Sequence, residues 1–137
     1  MPTSFTTTRR VEFCDTDAAG LAHFTAFFRY MEQAEHEFLR SRGLSVLVHD
    51  ADGPLSWPRV AATCEYLGAV KFEDVLEIEL SIERLGAKSV TYAFVFTHAG
   101  RRIAAGRITS VCCRLDPTGP PRSIPIPDAI RQQLAAP

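Results

Sequence analysis

The chain has 137 residues, enough for one domain that hides about two-thirds of its surface on folding and too few for a second. Hydrophobic residues make up 46% and charged residues 23%, which places it among ordinary globular domains and away from disordered, collagen-like and membrane-spanning classes. A formal net charge of -1 creates no field to draw it to nucleic acid or to an anionic membrane, so any anionic ligand has to be met locally.

Residues Phe5 to Cys14 are rich in Thr, Val and Phe without a helical period, and they read as a first strand ending at Asp15-Thr16-Asp17. A loop from Asp15 to Phe24, with Gly20 inside it, leads to Thr25 as the expected N-cap of the one long helix. Within that helix Phe27, Met31, Ala34 and Phe38 form an apolar stripe, and Gly43 is the expected stop. Asp50 to Pro58, with Gly53, Pro54 and Pro58, reads as a loop. Four strands are then expected: Arg59 to Tyr66; a run in which Leu76, Ile78, Leu80 and Ile82 alternate with Glu77, Glu79, Ser81 and Glu83; Lys88 to Thr97; and Arg101 to Leu115. Their connections are too short for crossover helices, so neighbouring strands are expected to pair antiparallel. The proline-rich stretch Asp116 to Pro127 reads as an irregular connector before a short helix, Asp128 to Leu134. The expected class is α+β: a single domain, 1–137, with an antiparallel sheet of about five strands wrapped around one helix. Val90, Tyr92, Phe94 and Phe96 against Ala93 and Val95 put apolar residues on both faces of one strand, which a dimer or larger assembly would cover.

Cys14, Cys64, Cys112 and Cys113 show neither C-x-x-C nor zinc-finger spacing, so neither a metal nor a disulfide is expected. The first residues lack the apolar run of a signal peptide, and no segment is long enough to span a bilayer, which makes cytoplasm the expected compartment.

The chemistry is concentrated in Val11-Glu12-Phe13-Cys14-Asp15-Thr16-Asp17-Ala18-Ala19-Gly20-Leu21-Ala22-His23-Phe24. Two carboxylates stand just ahead of a helix start. Unpaired N–H groups there carry partial positive charge and can hold a carbonyl oxygen as it becomes an oxyanion, while a carboxylate can attack the carbon or activate water. The same residues can equally be capping and turn residues, and spacing alone leaves both readings open.

At this segment the chain resembles the 4-hydroxybenzoyl-CoA thioesterase family of hotdog-fold proteins, including its bacterial acyl-CoA thioesterase branch associated with the Tol-Pal system. Asp15-Thr16-Asp17, Gly20, His23-Phe24 and Phe27-Phe28 through Glu32 carry the resemblance. Weaker similarity runs through Glu65-Tyr66 and Phe72-Glu73-Asp74-Val75-Leu76 to Lys88-Ser89. The resemblance implies a hotdog fold, a homodimer or homotetramer with active sites at the subunit interface, and hydrolysis of an acyl-CoA substrate without metal or cofactor. It further implies that Asp17 is the catalytic carboxylate, as nucleophile or general base, and that the Phe24 backbone N–H is the oxyanion donor. Asp15→Asn is accordingly expected to cost far less activity than Asp17→Asn.

On the same basis Gly20 and His23 fall among the substrate-binding residues, His23 one position earlier than the Tol-Pal branch has its histidine. Lys88 and Ser89 match the position that meets coenzyme A phosphates, with Arg84, Arg101 and Arg102 as weaker candidates, and Phe24, Phe27, Phe28 and Trp57 are candidates for an acyl pocket. Some hotdog thioesterases place an acidic catalyst on the long helix, which would make Glu32 or Glu35 a candidate, but the surface reading is the stronger, with Glu32 pairing to His36 and Glu37 to Arg40. The alternatives are a thioesterase acting on acyl carrier protein and a non-catalytic module that binds acyl-CoA.

Overall fold

A computed structural model describes residues 4–137. The strand expected from Phe5 to Cys14 is β1, Ser4–Arg10; it stops at Arg10 because the chain turns at Val11 and then forms a short 3-10 turn over Phe13–Asp15. The long helix α1 is Ala26–Ser41, followed by Gly43 at φ 72, a left-handed conformation that glycine adopts without steric cost. After it come β2 (Leu47–Asp50), β3 (Gly53–Ser56), β4 (Arg59–Tyr66), β5 (Val75–Leu85), β6 (Ser89–His98), β7 (Arg101–Val111), β8 (Cys113–Arg114), β9 (Arg122–Ser123) and α2 (Asp128–Ala135).

The main sheet has five strands in the order β1-β5-β6-β7-β4, every pair antiparallel. One expectation is corrected here. Although β4 and β5 are consecutive, they do not pair; β4 lies against β7, and β5 lies between β1 and β6. Residues 67–74 therefore run from β4 to β5 past the loop before α1, where the Val70 carbonyl accepts the Ala22 amide, rather than forming a hairpin. Both edge strands, β1 and β4, touch α1, so the sheet curls around the helix. Irregular registers at Arg59/Ala61, Ile82/Arg84 and Phe96/Thr97 supply bends for that curl.

A second small sheet, β2-β3-β8-β9, takes β3 and β9 from two stretches expected to be irregular and β8 from the last expected strand. The hairpin of β2 and β3 lies within and just before the supposed loop Asp50 to Pro58, and β9 lies within the supposed connector. The last expected strand is likewise divided, with Cys112 separating β7 from β8.

The core sits between α1 and the concave face. Leu76, Ile78 and Leu80 alternate inward with Glu77 and Glu79 outward, and Phe27, Met31, Ala34 and Phe38 of the helix stripe are all buried. Each large apolar side chain removed from water contributes about 1.5–3 kcal/mol. Gly106 lets the layers approach, since a Cβ there would lie 2.4 Å from Met31 Sδ and 3.0 Å from the Thr63 carbonyl oxygen. All four cysteines are unpaired, and no helix among the described residues is long and apolar enough to cross a membrane.

Glu35 is not a surface residue. It lies on the buried side of α1, 1% exposed, where both its oxygens meet the Arg59 guanidinium, one at 3.1 Å, while Arg59 also donates to Ser110 Oγ at 2.9 Å. Glu37 likewise pairs with Arg9 and Thr7 of β1 rather than with Arg40. Burial pushes the Glu35 carboxyl up to about 7, against the opposing pull of Arg59. The folded chain thus holds this proton more tightly than the unfolded chain. The resulting contribution to stability is full below about pH 4.5 and is lost as pH rises through 7, a change of roughly 2 kcal/mol between pH 5 and 7.5 at about 1.4 kcal/mol per unit. His36, which burial holds below its ordinary value, gives the opposite slope. The difference between parent and Glu35→Gln in urea-unfolding free energy, measured at pH 5 and 7.5, isolates the Glu35 contribution. A difference that is the same at both pH values would contradict it.

Candidate active site

The 3-10 turn after β1 presents Asp15 inward and Asp17 outward. Asp15 is buried and fully occupied: its carboxylate accepts from the Tyr30 hydroxyl at 2.9 Å, the Arg29 guanidinium at 3.2 Å and the Glu12 amide at 3.0 Å. Burial by itself would raise its pKa, but these three donors hold it below the usual carboxylate value. The Asp15 carbonyl accepts the His23 amide at 2.7 Å, so this residue clamps the loop to the start of α1.

Asp17 is exposed. Its Oδ1 accepts from the Ala19 and Leu21 amides at 2.9 and 3.2 Å, and Gly20, at φ 79, closes the turn by donating to the Asp17 carbonyl. Oδ2 accepts from nothing among the described residues. The turn fixes the carboxylate and leaves one oxygen uncommitted.

At the helix start, Thr25 occupies the expected N-cap, yet its hydroxyl does not cap the helix; it bonds His23 Nδ1 at 2.7 Å. The Thr25 amide also points to His23 Nδ1, and the Ala26 amide to the His23 carbonyl. No acceptor among the described residues takes the Phe24 amide. The Phe24 ring is 60% exposed and stacks on His23 at 4.6 Å, while its carbonyl accepts the Tyr66 hydroxyl at 2.7 Å.

Asp17, Phe24 and Phe27 meet at one cleft of about 220 Å³, completed by Leu21, Ala22, Tyr66 and the run Gly68, Ala69 and Val70. Tyr66 and Gly68–Val70 were not among the site residues expected from the sequence. The available signal was the small-residue run directly after a strand rich in exposed positions.

Gly20 belongs to the turn and His23 to the helix start, beside the cleft. The remaining candidates lie elsewhere in the chain. Lys88 and Ser89 sit by the Val111 end of β7, where Ser89 pairs Val111 and the Lys88 carbonyl accepts the Cys112 amide. Trp57 is buried beside Arg59, which pairs Ser110 at that same end, whereas Tyr66 pairs Ala104 at the other. From Ala104 to Val111 is roughly 23 Å at about 3.3 Å per residue. Arg101 lines a separate cleft with Lys71, Asp74 and His98 on the far side of Leu21. Among the described residues no group of three or more His, Cys, Asp or Glu is placed to hold a metal ion.

A sheet curled around one long helix is the hotdog fold, here in the form shared with hotdog thioesterases. The fold superposes on a gentisyl-coenzyme A thioesterase with a TM-score of 0.82 at 31% identity, covering 96% of this chain and all (100%) of that one. The chain belongs to the thioesterase-like superfamily, which it matches over residues 11–134. It is 31% identical over 136 residues to a 1,4-dihydroxy-2-naphthoyl-CoA hydrolase of Synechococcus sp. (strain WH7803), covering 94% of this chain and 87% of that one. It is 28% identical over 118 residues to a 4-hydroxybenzoyl-CoA thioesterase of Pseudomonas sp. (strain CBS-3), covering 85% and 81% respectively.

Proposed function

We propose that this chain hydrolyses aryl-CoA thioesters, with Asp17 as the reacting carboxylate and the Phe24 amide as the donor to the thioester oxygen. The observation that carries this reading is the cleft itself: Asp17, with one uncommitted carboxylate oxygen, and Phe24, with an uncommitted backbone N–H at a helix start, both line the same small cavity. Asp17 attacks the acyl carbon, either directly or through a water it deprotonates. The carbonyl oxygen becomes an oxyanion held by the Phe24 amide, and the C–S bond then breaks to release the coenzyme A thiolate, which takes up a proton. In the direct route water afterwards cleaves the acyl-Asp17 anhydride. Neither route consumes a cofactor or metal.

An aryl acyl group is supported by the aromatic walls Phe24, Phe27 and Tyr66 around a narrow cleft with a small-residue floor at Gly68 and Ala69. The relatives named above also carry hydroxylated aryl groups in their substrates' names.

We further propose a homodimer formed along the exposed edge strand β4. Val60, Tyr66 and Leu67 there are 62%, 43% and 57% exposed. Pairing β4 with its twofold copy in antiparallel fashion brings the Lys88 and Trp57 end of one subunit toward the Asp17 cleft of the other. The two halves of the candidate site, far apart in one chain, then face one substrate. Four unpaired cysteines suit a reducing compartment, and we place the enzyme in the cytoplasm.

The test is a hydrolysis screen with benzoyl-, hydroxybenzoyl-, hexanoyl- and palmitoyl-CoA, and with the same acyl groups on acyl carrier protein, alongside sedimentation of the protein. Preferred turnover of the aryl-CoA substrates by a species of twice the chain mass is expected. Turnover of acyl carrier protein alone supports the carrier-protein alternative, and binding without turnover supports the sensor alternative.

A further inference from the structure

We propose that Tyr66 is a positioning residue for the oxyanion donor, and that it acts through the Phe24 carbonyl rather than on the substrate. This rests on the thioesterase reading above.

The backbone around Phe24 is pinned on one side by local contacts. The His23 amide is held by the Asp15 carbonyl at 2.7 Å, and the Thr25 amide by His23 Nδ1 at 3.1 Å. The Phe24 carbonyl itself receives no hydrogen bond from the helix. In a regular α-helix the Phe24 carbonyl would take the amide four residues on, but the Phe28 amide turns to Thr25 instead, at 3.1 Å. The Phe24 ring does not anchor the residue either, since it is 60% exposed. Among the described residues the Tyr66 hydroxyl, reaching from the last position of β4, is the one donor to this carbonyl, at 2.7 Å. The Tyr66 ring is itself held edge-on to Phe27 at 5.4 Å. The Phe24 amide shares its peptide plane with the His23 carbonyl, which accepts the Ala26 amide at 2.9 Å, so with Tyr66 holding the following plane residue 24 is tethered on both sides of its Cα and the amide keeps its place at the helix start. Burial pushes the Tyr66 phenol up to about 12, so it remains a proton donor throughout the working pH range.

An oxyanion donor that points a little wrongly costs less than one deleted, for which losses of roughly 10²–10³ in kcat are typical. Tyr66→Phe keeps the ring and its packing and removes only the hydroxyl. It is expected to lower kcat for benzoyl-CoA about tenfold with KM within about twofold.

Two non-hydrolysable probes separate this role from a structural one. Phenacyl-CoA retains a carbonyl for the donor, whereas phenethyl-CoA of the same length lacks it. Tyr66→Phe should weaken phenacyl-CoA binding by about the factor lost from kcat and leave phenethyl-CoA unchanged. Unchanged kcat overturns the proposal, as does equal weakening of both probes, which would mean that the Tyr66 hydroxyl acts on the bound acyl group rather than on the donor. A parent protein inert toward every thioester would instead sink the underlying thioesterase reading, and that is seen before any variant is made.

Discussion

Asp17→Asn is expected to lower kcat by a hundredfold or more, on the order of what loss of a reacting carboxylate costs, while the protein stays folded. The asparagine Oδ1 can still accept the Ala19 and Leu21 amides that shape the turn, so the loop keeps its path. What disappears is the second carboxylate oxygen, the one without a partner. An amide NH₂ in its place is neither a base nor a nucleophile. Because Asp17 lies on the surface, the unfolding free energy should move by no more than about 0.5 kcal/mol. Single-turnover measurement on the best aryl-CoA decides the matter: a rate within a few-fold of the parent removes Asp17 from the chemistry.

The neighbouring carboxylate should behave in the opposite way. Asp15→Asn is expected to destabilise the fold by about 2–4 kcal/mol, because hydrogen bonds from Tyr30 and Arg29 to a buried charge are each worth about 1.5–3 kcal/mol and one amide group cannot replace them all. It should also alter the acid limb of stability. A carboxyl held below its unfolded value stabilises the chain above that value, near pH 4, and loses this contribution as pH falls through the folded value. Urea midpoints for parent and variant should therefore lie furthest apart at neutral pH and converge toward pH 3. Equal stability of the two at pH 7 would show that the Asp15 contacts contribute nothing net. The expectation that Asp15→Asn is the mild change concerns chemistry alone; its damage should fall on the clamp between the loop and α1.

Much of this architecture could be read from periodicity. The β5 alternation and the α1 stripe are strong because each buries one face of a long element, and burial imposes the pattern. β2, β3 and β9 escaped because two to four residues, with Gly53 and Pro54 in β3, are too short to show a period. The pairing of β4 with β7 depends on a crossover whose direction local sequence does not encode. Glu35 departs from the surface reading because its place in the helical period outweighs its charge. It stands four residues after Met31 and four before Leu39, both buried, so the helical period itself puts it inside. Asp17 and Phe24 were singled out by family resemblance and motif, which also favoured Asp17 over Asp15, and the geometry now adds an independent reason for that choice. Tyr66 reaches the cleft only through tertiary folding, forty-two residues along the chain from the carbonyl it holds.

The open edge at β4 carries a hazard as well as an opportunity. An unpaired strand with exposed Val60, Ala61, Ala62 and Thr63 offers its free N–H and C=O groups to any extended chain, and such edges seed fibrous aggregates. In the proposed dimer two β4 strands cap each other, leaving a ten-stranded sheet bounded at both ends by β1. That strand is a poor template for further growth. It exposes Thr6, Thr8 and the cationic Arg10, and its Thr7 and Arg9 are tied to Glu37 of α1. Growth along the sheet would then terminate after one addition, and association would be self-limiting rather than polymerising.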